Sequence, residues 1–314
     1  MLGRIADSLY WMARYSERAE STARILDVGY RMTLMPQDAA TRASVWSSTL
    51  EIAGCQEAYA EKYGGEVRRE DVIRFLAIDP DNPWSLYGCL RAARENARAL
   101  RSSITIELWE AVNSTWLEIR DMDENALLER GYRDLFDWVK ERANLFHGVA
   151  DGTMLHDDAY AFMRLGWYLE RAGNTARILD SKYHVLLASA QDVGGAVDYY
   201  QWGALLRSVS AFRAYHKVYS NVIVPARVAE LLILREDMPR SLHSCLNQAI
   251  GSLDHLCGRR PFECRRIAGE LHARIRFASM SEIFTRGLHE FLTDFVDRTT
   301  ELGGQVQRDF MMLA

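Results

Sequence analysis

Apolar residues recur at helical spacing along nearly the whole chain, and nowhere do they alternate convincingly as they would in a strand. In the first segment Trp11, Tyr15, Thr22 and Leu26 are separated by four, seven and four positions, which places them on one face of a helix. Only six prolines occur among the 314 residues. The pattern therefore predicts an all-α protein of ten to twelve helices, arranged as two similar bundles.

Glycine and proline residues set the ends of the predicted helices. The pattern predicts helices over residues 4–34, 42–63, 70–78, 83–113, 123–149, 157–189, 200–218, 225–234, 239–257, 261–280 and 281–311. Pro83 and Pro239 are each expected to open a helix, because proline is tolerated in the first helical turn. Gly194-Gly195 predicts a loop, and Gly303-Gly304 predicts an interruption of the last helix.

The chain contains an internal repeat. Residues 15–27 and 168–180 (YSERAESTARILD and YLERAGNTARILD) are identical at ten of 13 positions, at an offset of 153. Residues 81–90 and 237–246 agree at six of ten positions, at an offset of 156. These blocks predict a tandem duplication of a helical-bundle unit. The predicted halves are residues 1–152 and 153–314, packed as one globular unit with their long Glu-Arg helices related by a pseudo-twofold axis.

Charged residues lie beside the apolar face of the first helix. Arg14, Glu17 and Arg24 follow helical spacing, so Glu17 shares its face with an arginine on either side. Burying a charge without a partner costs several kcal/mol, on the order of the loss from a broken buried pair. We therefore expect Glu17 to pair with Arg14 or Arg24, and Arg18 to pair with a carboxylate from another helix.

The repeated Glu-Arg pairs allow two interpretations. In the first, they form a structural network that fixes the register of the helices where the two halves meet. In the second, they line a polar cavity that binds an anionic group, with Glu17 or Glu170 as general acid or base. The candidate anion-binding residues are Arg14, Arg18, Arg24, Arg171 and Arg177.

The two copies differ at positions beside these pairs. Arg14 is matched by Trp167, and Glu20 is matched by Gly173. A purely structural network does not require such an asymmetry, whereas one working site and one degenerate site would produce it. Whether the two pairs form one site or two is left open by the sequence.

Composition and motifs exclude several other functions. A net charge of −5 argues against a general nucleic-acid or anionic-membrane surface, and no run of about 18 apolar residues predicts a membrane span. The first residues lack the apolar core of a signal sequence, which favours a cytoplasmic location. The chain has no Glu-x-x-His motif and no phosphate-binding glycine loop, so we predict neither a metal nor a cofactor.

The Glu-Arg helices resemble the Alpha-E family, a bacterial helical domain named for its Glu-Arg motif. The matching segments are residues 9–20 (LYWMARYSERAE), 93–98 (ARENAR), 109–110 (WE), 169–172 (LERA) and 236–241 (EDMPRS), and the resemblance covers essentially the whole chain. Trp167, Gly173 and Asn174 depart from the polar or charged pattern of the first block. The working site is therefore expected around Glu17.

The resemblance implies a partnership, because genes for Alpha-E proteins commonly lie beside, or are fused to, those for circularly permuted ATP-grasp and transglutaminase-like proteins. ATP-grasp ligases activate a carboxylate as an acyl phosphate. The chain is thus expected to be a helical partner, or a substrate-holding component, of an ATP-grasp-linked system that forms amide or peptide bonds or modifies peptides. Its partners would be the ligase and a carboxylate-bearing or otherwise anionic small molecule or peptide. The alternatives are a stand-alone acyl-transfer enzyme using the Glu-Arg site and a purely structural interaction module.

Overall fold

A computed structural model describes residues 3–34, 39–185, 196–219 and 222–311, without the side chains of residues 39–41, 181–185 and 196–198. Within these ranges the chain forms sixteen helices and no strand, which confirms the predicted all-α class. The helices are α1 (Gly3–Thr33), α2 (Ala39–Ile52), α3 (Gln56–Tyr63), α4 (Arg69–Ala77), α5 (Leu86–Ala99), α6 (Ile106–Arg120), α7 (Glu124–Arg130), α8 (Tyr132–Thr153), α9 (Asp158–Val185), α10 (Ala196–Ser208), α11 (Phe212–Val218), α12 (Pro225–Ile233), α13 (Leu242–Cys257), α14 (Glu263–Arg276), α15 (Met280–Arg286) and α16 (Leu288–Phe310). No helix in the described ranges combines the length and apolar character needed to cross a bilayer. The predicted loop at Gly194-Gly195 and the predicted helix end at residue 189 lie outside the described residues.

The predicted count of ten to twelve helices is wrong, because five of the predicted helices are each divided in two. Four of the divisions contain a residue with a left-handed backbone, which cannot continue a right-handed helix. These residues are Gly54 (φ 66°), Gly131 (φ 86°), Ser210 (φ 56°) and Gly287 (φ 98°). The fifth division separates α5 from α6, where the Thr105 side chain caps α6 by accepting a hydrogen bond from the Leu108 N–H at 3.3 Å.

Two further predictions about helix ends are corrected. Pro83 and Pro239 precede their helices, since α5 and α13 start after the capping side chains of Ser85 and Ser241. The predicted interruption at Gly303-Gly304 does not occur, and α16 continues through both residues. Gly303 instead allows close packing, because an added Cβ would lie 3.2 Å from the Tyr10 hydroxyl oxygen of α1.

The helices of the second part repeat the order of the first. The six helices α11–α16 each start 156 or 157 residues after their counterparts α3–α8. Local contacts also recur: the Cys89 thiol donates to the Pro83 carbonyl oxygen at 3.7 Å, and Cys245 donates to Pro239 at the same distance. A tandem duplication predicts this correspondence. The duplication and its boundary between residues 152 and 153 stay predictions.

The long helices α1 and α9 pack along one another at the centre of the molecule. Their approach is close at Gly166, where an added Cβ would collide with the carbonyl oxygen of Tyr10. Helices α5 and α8 cover α1, and their counterparts α13 and α16 cover α9. A cluster of buried apolar side chains, including Leu9, Met163 and Leu256, joins the two parts. Polar side chains at the α1–α9 crossing are therefore held away from bulk water.

Candidate functional site

The two Glu-Arg pairs exchange partners across the α1–α9 crossing. Glu17 accepts hydrogen bonds from Nε and Nη2 of Arg171 at 2.9 and 2.7 Å. Glu170 accepts bonds from Nε and Nη2 of Arg18 at 2.6 and 2.9 Å. The two glutamates are almost fully buried, at 0 and 3% exposure. Each helix thus supplies the carboxylate for the arginine of the other, in the two-pronged geometry that guanidinium groups favour.

The expected pairing of Glu17 with Arg14 or Arg24 is wrong. Arg14 lies one turn before Arg18 on the same face of α1, so both arginines reach Glu170, with Arg14 Nε donating at 2.8 Å. Arg24 lies one turn after Glu20 and pairs with that carboxylate instead. Arg18 does pair with a carboxylate from another helix, as expected.

We call the surroundings of Glu17 the filled site. Its members are Glu17, Glu20, Arg24, His147, Arg171 and Arg240. Arg240 links the two carboxylates by donating to Oε1 of Glu17 at 3.1 Å and to Oε1 of Glu20. Arg24 donates to the same Glu20 oxygen from Nε at 2.9 Å and from Nη2 at 2.6 Å. Two carboxylates and three guanidinium groups therefore neutralise much of one another's charge in a packed interior.

The arginines of the filled site determine the ionisation of Glu17. Burial favours the neutral carboxyl, but the charges of Arg171 and Arg240, with hydrogen bonds from His147 and Arg171, outweigh it. The pKa of Glu17 consequently lies well below its usual range. Glu17 is ionised at neutral pH and has no proton to give as a general acid.

Three members of the filled site also meet the distance criterion for a metal site. Glu17, Glu20 and His147 offer ligand atoms within 4.8 Å of one another. Three guanidinium groups already surround the two carboxylates, so a cation would meet a site that is positively charged without it. We interpret the cluster as an ion network, and the absence of a metal ligand set stays a prediction.

We call the surroundings of Glu170 the open site, because a cavity of about 230 Å³ adjoins it. The cavity is lined by Arg18, Thr22, Ile25, Ile52, Ala53, Gly54, Trp84, Glu170, Asn174 and Arg177. The Trp84 ring covers the Arg18 guanidinium at 4.3 Å from the ring centroid. Burial opposes ionisation of Glu170, but Arg14 and Arg18 outweigh it and lower its pKa to about 2. The cavity thus lies beside Glu170, whereas the sequence pointed to Glu17.

Arg177 distinguishes the open site from the filled one. Arg177 matches Arg24 in the repeat. One helical turn earlier, however, the second copy has Gly173 where the first copy has Glu20. The hydrogen bond of Arg177 within the described chain runs from Nη1 to Oδ1 of Asn174 at 3.3 Å. No carboxylate of the described residues lies within ion-pair distance of Arg177, and burial lowers the pKa of its guanidinium. Arg177 is a largely buried cation at the cavity, and the carboxylate that lines this cavity, Glu170, is already bonded by Arg14 and Arg18.

Replacements in the repeat explain why the cavity exists. Trp84 stands at the position equivalent to Arg240, and Gly54 stands at the position equivalent to Ser210. In the filled site the Ser210 hydroxyl accepts a bond from Arg24 Nη1 at 3.0 Å. Gly54 has no side chain to make the corresponding contact, although both residues share a left-handed backbone. The open site therefore lacks the groups that accept hydrogen bonds from the Arg24 guanidinium in the filled site.

The structure sorts the candidate residues into these two clusters. It brings Arg14, Arg18, Glu170 and Arg177 together, and it brings Glu17, Arg24 and Arg171 together. Five residues of these clusters were not among the predicted site residues: Glu20, His147, Asn174, Trp84 and Arg240. For Arg240 and Trp84 a signal existed, since the repeat offset aligns them beside the matched proline and serine. His147 had no such signal, because it is a single histidine in α8.

Comparison with known proteins identifies the domain. Residues 1–311 match Alpha-E, described as a predicted alpha-helical domain with a conserved ER motif. The chain is 24% identical over 317 residues to an uncharacterized protein of Mycobacterium tuberculosis and, equally, to one of Mycobacterium bovis, in matches that cover 93% of this chain. These matches cover 35% of each relative, so the chain spans about a third of the length of the curated relatives. No solved structure shows significant similarity to it. Because the family match extends over nearly every residue, the chain belongs to the Alpha-E family.

Proposed function

We propose that this chain is the substrate-holding partner of an ATP-grasp-type ligase that forms amide or peptide bonds, or modifies peptides. The observation that carries the proposal is the cavity beside Arg177, a buried guanidinium without a carboxylate partner among the described residues. An uncompensated buried charge costs stability, and such costs are commonly retained where a ligand supplies the missing partner. An ATP-grasp ligase requires a carboxylate substrate, which is the group that a guanidinium binds in a planar, two-pronged manner.

The family resemblance and the length of the relatives support the partnership. Alpha-E proteins are commonly encoded beside, or fused to, ATP-grasp proteins, and the curated relatives are about three times as long as this chain. Their additional length leaves room for further domains in the same polypeptide. Because the proposed partner consumes ATP, we place this protein in the cytoplasm.

We further propose that the two sites descend from a tandem duplication of residues 1–152 into residues 153–314. In this proposal the copy around Glu17 has been filled by its own side chains, and the copy around Glu170 has kept or acquired a cavity. A purely structural module accounts for the filled site but gives no role to Arg177. A stand-alone acyl-transfer enzyme would need Glu17 or Glu170 for proton transfer. Their lowered pKa values and their arginine-bound oxygens make both residues poor acids and bases.

The partnership can be tested with the full chain and an ATP-grasp-type ligase from the same genome. We would measure complex formation by gel filtration, and then ATP hydrolysis by the ligase as its carboxylate substrate is varied. The expected result is a complex in which this chain lowers the apparent KM for the carboxylate. Arg177→Gln should remove that effect and leave the complex intact, whereas the exposed Arg266→Gln should change neither.

Two results would contradict the proposal. The first is the absence of both a complex and any effect on the ATP hydrolysis of the ligase. The second is product formed by this chain alone from an activated acyl substrate, which would favour the stand-alone enzyme.

A further inference from the structure

In the filled site, the contact between Arg24 and Glu20 shows how the open site would hold a carboxylate ligand. Arg24 and Arg177 occupy equivalent positions, and Arg24 directs both Nε and Nη2 at one oxygen of Glu20. From this equivalence we infer that the open site binds the carboxylate of a small, single-residue-sized group on Arg177, where Glu20 lies on Arg24. This inference deepens the proposed function by naming the ligand class and the residue that binds it.

The donors of Arg177 are arranged for such a ligand. Nη1 is held by Oδ1 of Asn174, and within the described chain Nε and Nη2 make no hydrogen bond. Asn174 is itself 92% buried, since its exposure is 8%, and its Nδ2 atom has no hydrogen-bond partner. The amide fixes the guanidinium on one side and leaves the two-pronged edge of Arg177 unpaired. A carboxylate matches that edge in geometry as well as in charge.

The walls of the cavity favour a carboxylate over a phosphate. Glu170 lines the cavity and would repel the second charge of a phosphate dianion more strongly than a single carboxylate. Both prongs of Arg18 are already bonded to Glu170, so Arg18 is not available to receive a second anionic oxygen in the same way. Ile25, Ile52 and Trp84 provide apolar surface for the remainder of the ligand.

The size of the cavity limits the ligand. A volume of about 230 Å³ is smaller than that of pockets for drug-sized ligands, which is roughly 300 to 1,000 Å³. It suits one amino-acid residue with an uncharged, apolar side chain. The carboxylate can come from a free acylated amino acid or from the end of a peptide chain, because both present the same group to Arg177.

The inference can be tested by titrating the full chain with N-acetyl-L-valine, N-acetyl-L-valinamide and inorganic phosphate. Binding would be followed by NMR of the arginine Nε–H groups, with Arg177 assigned as the signal missing from Arg177→Gln. We expect N-acetyl-L-valine to shift that signal with a millimolar Kd, as its small size allows, and the amide to leave it unchanged. A short peptide ending in valine, with a free or an amidated terminus, distinguishes a peptide end from a free amino acid.

Gly173→Glu provides the most specific variant, because it places in the open site the residue that fills the other one. A glutamate four residues before Arg177 can pair with it on the helix surface, so N-acetyl-L-valine should bind at least tenfold more weakly. Arg177→Gln lacks the Arg177 signal and is therefore titrated by ligand-observed NMR. It should weaken binding by about 10- to 100-fold, as expected for the loss of a charged hydrogen-bond donor. Gly148→Glu is the matched control, since it adds the same side chain to an exposed glycine of α8 with no atom near its Cβ.

A comparison of Gly173→Glu with Gly173→Gln separates charge from bulk. The melting temperature at neutral pH should be higher for the glutamate than for the isosteric glutamine, because the glutamate alone can neutralise Arg177. Equal melting temperatures would contradict the inference. So would equal binding of acid and amide, tighter binding of phosphate, or undiminished binding by Gly173→Glu.

Failure of this inference is distinguishable from failure of the proposed function. If the ligase is stimulated but no carboxylate reaches Arg177, the inference is overturned and the partnership stands. If N-acetyl-L-valine binds at Arg177 but the ligase neither binds nor responds, the partnership is overturned and the carboxylate site stands.

Discussion

Glu17 and Glu170 take equivalent places in α1 and α9, yet their surroundings differ in charge and in empty space. Around Glu17, a second carboxylate and an arginine from the loop before α13 complete a packed network. Around Glu170, Trp84 and Gly173 stand at the corresponding positions, and a cavity remains. The exchange of partners across the crossing needs only the two Glu-Arg pairs. The residues around each pair then determine whether the site is filled or adjoins a cavity, so the Glu-Arg pairing by itself does not decide whether space for a ligand remains.

The largest effect is expected from Glu17→Gln. It leaves Arg171 and Arg240 without a full counter-charge in a buried network, and breaking such a network costs about 3–5 kcal/mol of unfolding free energy. Glu170→Gln should cost less, because Arg18 borders the cavity and can be solvated there. Urea denaturation measures both values, and Glu263→Gln, in an exposed pair with Arg266, should cost under about 1 kcal/mol. Equal losses from Glu17 and Glu170 would remove the energetic difference between the two sites.

Lowering the pH should destabilise the protein by protonating Glu170, and this loss of stability should be smaller than that caused by Glu17→Gln. The pKa of Glu170 is about 2 in the folded protein against an ordinary value of 4.5, so folding favours the ionised form. The resulting stability is present above about pH 4.5 and is lost as the pH falls towards 2, for a total of about 3 kcal/mol. Urea denaturation at about pH 5 and pH 2.5 should show this loss in the parent protein and a reduced loss in Glu170→Gln. An unchanged pH dependence in the variant would contradict the assignment.

Arg24→Gln and Arg177→Gln compare the same position in the two sites. Arg24 donates two hydrogen bonds to Glu20 and contacts Ser208 and Ser210, so its loss should cost about 1–3 kcal/mol. Arg177 has no carboxylate partner in the described chain, and its replacement should change stability by less than about 0.5 kcal/mol or raise it. The measurement is the shift of the urea midpoint. A large loss from Arg177→Gln would show that its charge is compensated within the protein.

The sequence predicted the helical class and the importance of the Glu-Arg helices, because periodicity and a repeat are local signals. It did not predict the number of helices. Ser210 adopts a left-handed backbone without being glycine, and Thr105 starts a helix inside a periodic apolar stretch. Each of these helix ends depends on the backbone conformation of one residue, and the packing around that residue determines the conformation.

The sequence did not predict the individual partners of the charged residues, although a carboxylate from another helix was expected for Arg18. Arg24 finds Glu20 one turn away, which spacing alone suggests, whereas Arg18 finds Glu170 at a distance of 152 residues along the chain. Arg240 reaches Glu17 from a loop that has no helical register relative to α1. The cavity remains where small residues such as Gly173 leave space. That Gly173 leaves a space becomes clear only once the structure shows which contacts Glu20 makes at the equivalent position.

A smaller effect than that of Arg24→Gln is expected from Gly173→Ala, which tests whether the glycine matters for space or for charge. An added Cβ would lie 3.4 Å from Nη1 of Arg177, an ordinary contact, so the better helix propensity of alanine should raise stability by about 0.5–1 kcal/mol. The same change at Gly166, in the same helix, should destabilise the protein, because its Cβ would meet the Tyr10 carbonyl. Since alanine brings no carboxylate, Gly173→Ala should still bind N-acetyl-L-valine, unlike Gly173→Glu. Loss of binding in the alanine variant would mean that the space beside Arg177, rather than its uncompensated charge, defines the open site.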